Sequence, residues 1–252
     1  MTAQFSTIVG LKRRAKHIQI DQGCKHHLAL DAAAREGGFQ NFGHARAALA
    51  DRAPVMFSIN LEQHWHNRRA RAHGVEYLQV PLRQSLADLV KPHHLVGNLG
   101  GCRILGEHTL DLHSEGYLDD NAAYAVSRAK RVARTLQFMD LTGLKPSRAV
   151  RCYPRSDWQN RPPIADHDNC WYEPGSRQFV LSTEPYPTRA ERSKAQMDDW
   201  CNKHGFTHAR VNWGSIYGHT TELWLATKAG TAIDLHKLAS SLEAEPTQFA
   251  DE

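Results

Sequence analysis

The chain has no apolar run near the roughly 18 residues that a membrane-spanning helix requires, so such a helix is excluded. It is poor in cysteine. Cys24, Cys102, Cys152, Cys170 and Cys201 lie far apart with no C-x-x-C spacing, which points to reduced thiols in a bacterial-type cytosol. The opening stretch MTAQFSTIVGLKRRAKHIQ lacks an apolar h-region followed by a small-residue cleavage site, and the expectation is a cytoplasmic protein. Neither an internal repeat nor a low-complexity tract is present. The glycine-rich stretch VGNLGGCRILG lacks the Lys-Ser/Thr of a P-loop and does not fit G-x-G-x-x-G, which argues against a nucleotide-binding fold of either kind.

The 252 residues, 41% apolar and 23% charged, have an ordinary globular composition and suffice for one large domain or two smaller ones. Charge is uneven along them. Residues 1–148 carry 20 Lys/Arg against 13 Asp/Glu, whereas residues 149–252 carry 11 against 14. A basic first part suits a polyanion or an acidic protein surface as partner, although a solvated surface with chance asymmetry is the simpler account.

Apolar residues at three- and four-residue steps, Ile8, Leu11, Ala15 and Ile18, predict a helix to about Asp21, capped by Ser6 or Thr7. A second helix over about Lys25–Glu36 stops at Gly37-Gly38. Asn41 caps a third, which runs to about Arg52, with Phe39 and Phe42 wedged between helices. The period then changes to two. Val55, Phe57, Ile59 and Leu61 predict a strand, and Val75–Leu82 a second, paired as a hairpin with a basic tip over His66–His73. Ser85–Val90 is a short helix, and residues 93–118 give no clear pattern. A long helix is predicted from Asp119 to about Leu141, with Asp119 or Asp120 as cap. Ala122, Ala125, Val126, Ala129, Val132, Ala133 and Leu136 form its apolar stripe, and Lys130, Arg131 and Arg134 fall on the other side, with Arg128 at the flank. Strands near Ala149–Tyr153, Cys170–Tyr172, Gln178–Thr183, Ala209–Trp213 and Glu222–Thr227 follow. They enclose a helix over Thr188–Lys203 and precede a last helix over Ile233–Leu242.

The expected fold is therefore α+β: an N-terminal helical module (1–53), a β-hairpin plus long helix (54–148), a C-terminal mixed α+β unit (149–243) and a frayed tail (244–252).

Chemistry-bearing groups are scattered. The helix–Gly-Gly-Phe–helix unit has the Ala34/Gly38 spacing of a helix-turn-helix DNA reader. However, His44 stands where that motif buries an aliphatic side chain, so a plain helical hairpin is preferred. Sixteen histidines raise the question of metal. His64 with His66, the Asp166-His167-Asp168/Cys170 cluster, and His108, Asp111, His113 and Glu115 are possible ligand sets, but none has a diagnostic spacing; no metal and no cofactor is expected. Ser215, Tyr217, His219 and Glu222, or Cys170 with His167 and Asp168, supply nucleophile-and-base chemistry. Neither set has a G-x-S-x-G elbow, and a turn between strands explains the glycines of WGSIYGH. Trp65, and Trp158 between Arg155 and Arg161, are able to stack on unpaired bases.

The wording ALDAAAREGGFQNFGHARAAL resembles the small N-terminal helical module of bacterial proteins described as glyoxalase-related. The stretches TLQFMDLTGLKPS, DHDNCW, STEPYP and WGSIYGHTTELWL resemble an uncharacterised bacterial family (a domain of unknown function) of conjugative plasmids and integrative elements. The resemblance covers most of the chain and implies an accessory protein of a mobile element; it carries over no catalytic residues. The leading expectation is nucleic-acid binding through Lys12, Arg13, Lys16, His44, Arg46, Arg68, Arg69 and Arg71. The alternatives are an enzyme of unassigned, metal-assisted or metal-free reaction, using the Asp166–Cys170 loop or the His219–Glu222 turn, and an adaptor for an acidic protein partner.

Overall fold

The computed structural model describes residues 8–50, 56–112, 121–218 and 221–245 together with 247 and 249. They form an α+β protein whose chain divides into two compact units, residues 1–56 and 57–252.

In the first unit three helices, α1 (Ile8–Gln22), α2 (His26–Glu36) and α3 (Phe42–Ala50), close on a core of mostly small side chains. Leu11, Ala15 and Ile18 of α1 bury against Ala29, Ala33 and Ala34 of α2 and Ala45 of α3, so the predicted stripe is the packed face. Alanine where the helices touch lets their backbones approach closely, and the half-buried Phe39 and Phe42 fill the remaining wedge. The turn after α2 places Gly38 at φ 81°, a backbone conformation that glycine adopts without a Cβ penalty. There the Phe39 amide donates back to the Ala34 carbonyl (2.9 Å). Asn41 Oδ1 accepts the His44 amide (2.8 Å), capping α3 as expected. Ser6 and Thr7, the proposed caps of α1, lie outside the described residues.

The second unit holds two sheets. β1 (Phe57–Asn67) and β2 (Ala72–Leu82) form the predicted hairpin, antiparallel from Phe57↔Leu82 to Asn67↔Ala72. The helix α4 (Leu86–Leu89) follows, with Ser85 as its cap. Two four-residue strands come from the stretch without a clear pattern, β3 (Cys102–Leu105) and β4 (Thr109–Leu112). β4 lies parallel to β1 over Asn60–Gln63, giving the order β2-β1-β4-β3. Four residues are too few to display a period, and a parallel neighbour about 50 residues away leaves no local mark.

The long helix α5 (Ala122–Thr142) is capped by Asn121, whose Oδ1 accepts the Tyr124 amide (2.9 Å); Asp119 and Asp120 lie outside the described residues. It ends at Gly143 in the left-handed conformation. β5 is Lys145–Ser147, and Val150–Cys152 is a 3-10 turn in place of the strand expected at 149–153. Pro146 fits because β5 is an edge strand paired only with β6. β6 (Asn169–Glu173), β7 (Gln178–Thr183), the helix α6 (Pro187–His204), β8 (Phe206–Val211), β9 (Leu223–Lys228) and the helix α7 (Leu235–Glu243) complete the unit. The second sheet is antiparallel in the order β5-β6-β7-β9-β8.

One continuous core joins Ile59, Leu61, Leu110 and Leu112 of the first sheet, Val132, Leu136 and Phe138 of α5, and Trp171, Val180 and Leu225 of the second sheet. It therefore includes residues on both sides of position 148. On the opposite face of the second sheet, Leu181, Trp224 and Ala226 pack with Met197, Trp200 and Cys201 of α6. Burial on both faces explains why β7 and β9 read as continuous apolar runs. The tail is not frayed where it is described: Phe249 is buried in the main core, and Thr247 Oγ1 donates to Gln137 Oε1 (2.8 Å). No helix among the described residues is long and apolar enough to cross a membrane.

Candidate functional site

The eight residues singled out for nucleic-acid binding fall into two sets. Lys12, Lys16, His44 and Arg46 are exposed on the helical unit, and the side chain of Arg13 lies outside the described residues. The His44 imidazole turns back on its own turn, with Nδ1 accepting the Gln40 amide (3.2 Å) and the ring edge-on to Phe39 at 6.0 Å. Arg68, Arg69 and Arg71 are exposed at the end of the β1–β2 hairpin, with Arg71 at φ 51°.

Register defines what that hairpin is. Among the described residues β4 pairs with β1 from Asn60 to Gln63, whereas the β1–β2 ladder continues to Asn67↔Ala72. Among the described residues the last four pairs thus form a two-stranded arm. Its residues from His64 to Val75 include three arginines and three exposed histidines (His64, His66 and His73) and no carboxylate. Trp65 stiffens the arm. Its indole lies over Gly74, where a Cβ would meet ring carbons at 2.8 Å, and its Nε1 donates to Glu76 Oε1 (3.0 Å). That packing removes Trp65 as a free stacking platform; Trp158, 55% exposed, retains an open ring beside Arg161 at 5.5 Å.

The outward basic face expected on α5 is not there. Arg134 is buried and donates through Nε to the Ile216 carbonyl (3.1 Å), through Nη2 to the Tyr217 carbonyl (3.2 Å) and through Nη1 to the Phe249 carbonyl. Arg131 Nε donates to the Tyr217 carbonyl (3.2 Å) with its guanidinium 4.4 Å from the Tyr217 ring centre, and Arg128 donates to the Gly100 carbonyl (3.2 Å). Helical periodicity could not distinguish these from solvated arginines. Their partners are loop carbonyls 28 to 115 residues away.

Of the two segments of the catalytic alternative, the Asp166–Cys170 loop packs against Tyr217 of the Gly214–Gly218 turn, whereas His219 and residue 220 of the His219–Glu222 turn lie outside the described residues. The Asp166–Cys170 loop is laced to the end of β7: the Asp166 amide donates to Thr183 Oγ1 (2.9 Å), and the Glu184 amide to the Asp166 carbonyl (2.8 Å). The Glu184 carboxyl is fully buried. It accepts the Tyr217 amide (2.9 Å) and the Ser215 hydroxyl, and so holds the Gly214–Gly218 turn. The His167 ring stacks on the Tyr217 ring, centroids 3.4 Å apart. Asp166 receives Arg189 Nη1 at 3.6 Å. Burial raises the Glu184 pKa to about 7, raises that of Asp168 and lowers that of His167. His167 Nε2, Asp168 Oδ1 and Glu184 Oε1 are buried with no hydrogen-bond partner among the described residues. Ser215 is buried with its hydroxyl turned to Glu184, which makes it a structural donor in this geometry rather than an open nucleophile. His219, His113 and Glu115 lie outside the described residues. His64 Nε2 approaches Asp111 Oδ1 at 3.3 Å, but no group of three or more metal-ligating side chains gathers among the described residues. Glu184 went unnoticed in sequence because a lone glutamate after the run FVLST looks like any residue leaving a strand.

Compared with known proteins, the chain matches no family model, no curated protein and no solved structure.

Proposed function

We propose that the protein binds nucleic acid, with the β1–β2 arm as the principal binding element. The observation that supports this reading is the arm itself: among the described residues a two-stranded ribbon past the β1–β4 pairing, carrying Arg68, Arg69 and Arg71 and no acidic residue between His64 and Val75. A two-stranded ribbon is one of the elements a duplex major groove admits, and guanidinium groups pair with phosphate and with guanine edges. Lys12, Arg13, Lys16, His44 and Arg46 supply a second basic set on the helical unit. The cellular role in this proposal is that of a cytoplasmic accessory or regulatory protein of a mobile element, which is what the family resemblance implies.

The test is binding to single- and double-stranded DNA and RNA across a salt series. The logarithm of affinity should fall linearly with the logarithm of salt, and the triple variant R68E/R69E/R71E should bind more weakly with a flatter slope. On B-DNA the slope should flatten by about 0.9 for each phosphate that the variant leaves unneutralised. An unchanged triple variant removes the arm from the site, and no binding at low salt removes the reading altogether.

A second reading, an acid–base enzyme, draws support from one observation, the meeting of the Asp166–Cys170 loop with the Gly214–Gly218 turn at His167 and Tyr217. The Glu184 carboxyl, with a pKa near 7, and the His167 imidazole both contact Tyr217, and groups of these types are suited to proton transfer at neutral pH. Loss of a turnover in H167A with nucleic-acid binding intact would favour it over the arm.

A further inference from the structure

A further basic feature lies at one end of the five-stranded sheet and belongs to neither the arm, the helical unit nor the Glu184 region. Four separate segments contribute to it: the 3-10 turns at Val150–Cys152 and Pro154–Ser156, the start of β7, the end of α6 with the start of β8, and the end of β9. They enclose a cleft of about 560 Å³. Its walls carry Arg151, Arg155, Lys203 and Lys228 together with Phe179 and Phe206. No carboxylate lines it, and none of the four cations forms an ion pair among the described residues.

Folding brings these charges together. Phe206 pairs with Lys228 at the end of the β8–β9 ladder, and both residues line the cleft. Gly205 at φ 66° turns the chain from α6 into β8, leaving Lys203 and His204 at the rim. Arg155 and Ser156 both have positive φ, 57° and 56°, so the segment that presents the Arg155 guanidinium is held in a conformation non-glycine residues seldom adopt. Arg151 lies 5.8 Å from the Phe179 ring centre. Lys203 and Arg155 are close enough to His204 to depress its protonation, after the larger effect of burial.

Like charges gathered in a concave site repel one another, and an anion seated among them relieves that repulsion. Half-buried phenyl rings beside them suit a flat π-system, and the volume is in the range of small-ligand pockets. We infer that this cleft binds a nucleotide unit, with phosphate on Arg151, Arg155, Lys203 and Lys228 and the base against Phe179 or Phe206. The unit is either a free nucleotide or one residue of a single strand. Ser156 and Gln178 on the same walls offer a hydroxyl and an amide to the sugar or base edge.

Trp200 reports on the site, because its ring lies 5.0 Å from Phe206 and 5.4 Å from His204. The full chain is titrated at low salt with inorganic phosphate, adenosine monophosphate and a ten-residue single strand, read by tryptophan fluorescence and calorimetry. The expected result is saturable binding of the nucleotide or the strand, at least tenfold tighter than phosphate alone. R155G, which suits the left-handed backbone, and K228E should each weaken it about tenfold with thermal unfolding unchanged. The arm variant R68E/R69E/R71E should leave mononucleotide binding unaltered, which separates this site from the proposed ribbon. Saturation by the mononucleotide identifies a free nucleotide, and saturation by the strand alone identifies a strand segment. Binding of phosphate as tightly as nucleotide, binding indifferent to both cleft variants, or no binding of any probe overturns the inference.

Discussion

The imidazole of His167 lies flat on the phenol ring of Tyr217, with centroids 3.4 Å apart and planes 9° from parallel. Fifty residues of sequence separate the two, and the stack fixes the Asp166–Cys170 loop against the Gly214–Gly218 turn. Tyr217 is itself anchored: its amide donates to Glu184, and its carbonyl receives Arg131 and Arg134.

Removing the phenol ring should therefore free His167 without dismantling the turn. Burial is the main cause that holds the His167 pKa below its ordinary 6.5. In Y217A that pKa should rise toward 6.5, followed as the imidazole titration in NMR spectra. An unshifted titration would mean that the ring is not what excludes water from His167.

Glu184 gives the fold a pH dependence of defined sign. Its pKa is raised from the ordinary 4.5 to about 7, chiefly by burial. Between those values the folded chain keeps a proton that the unfolded chain has released, so this group's contribution to stability falls as pH rises from about 4.5 to 7. The total is on the order of 3 kcal/mol at 1.36 kcal/mol per pKa unit. E184Q keeps an acceptor for the Tyr217 amide and cannot ionise, so it should gain stability relative to wild type on going from pH 5 to pH 8. The difference between the two proteins in urea midpoints at each pH isolates the group. The comparison is needed because His94, lowered by burial to about 4, acts in the opposite sense between pH 4 and 6.5.

Arg134 ties α5 to two distant segments. Replacing it by alanine leaves the Ile216, Tyr217 and Phe249 carbonyls without its donors and opens a void in a buried position. The expected loss is about 3 kcal/mol or more by urea denaturation, larger than for R131A, whose side chain is half-buried. A loss under about 1 kcal/mol would show that water replaces the guanidinium.

Local pattern was enough for much of the architecture. The stripe Leu11, Ala15 and Ile18, the Gly37-Gly38 stop, the alternation Phe57-Ile59-Leu61 and the glycine after Thr142 all depend on neighbours within a turn or a pleat. Such features follow from helix and strand periods, from caps and from left-handed glycine, and each is read off a few adjacent residues. The four-residue strands β3 and β4 escaped this logic, as did Pro146 in an edge strand, because pairing partners far along the chain decide them.

The chemistry divides in the same way. Sequence by itself determined the α+β class, the hairpin with its arginine tip, and the uneven charge of the two halves, since these depend on composition and short-range order. Tertiary structure alone decided which charges are available. It turned Arg134 inward, laid Trp65 on Gly74, raised Glu184 by burial, brought His167 onto Tyr217 and gathered Arg151, Arg155, Lys203 and Lys228 around one cleft. A side chain's charge is written in the sequence, but its solvation and its partners belong to pairings between residues tens of positions apart, and those form only when the chain folds.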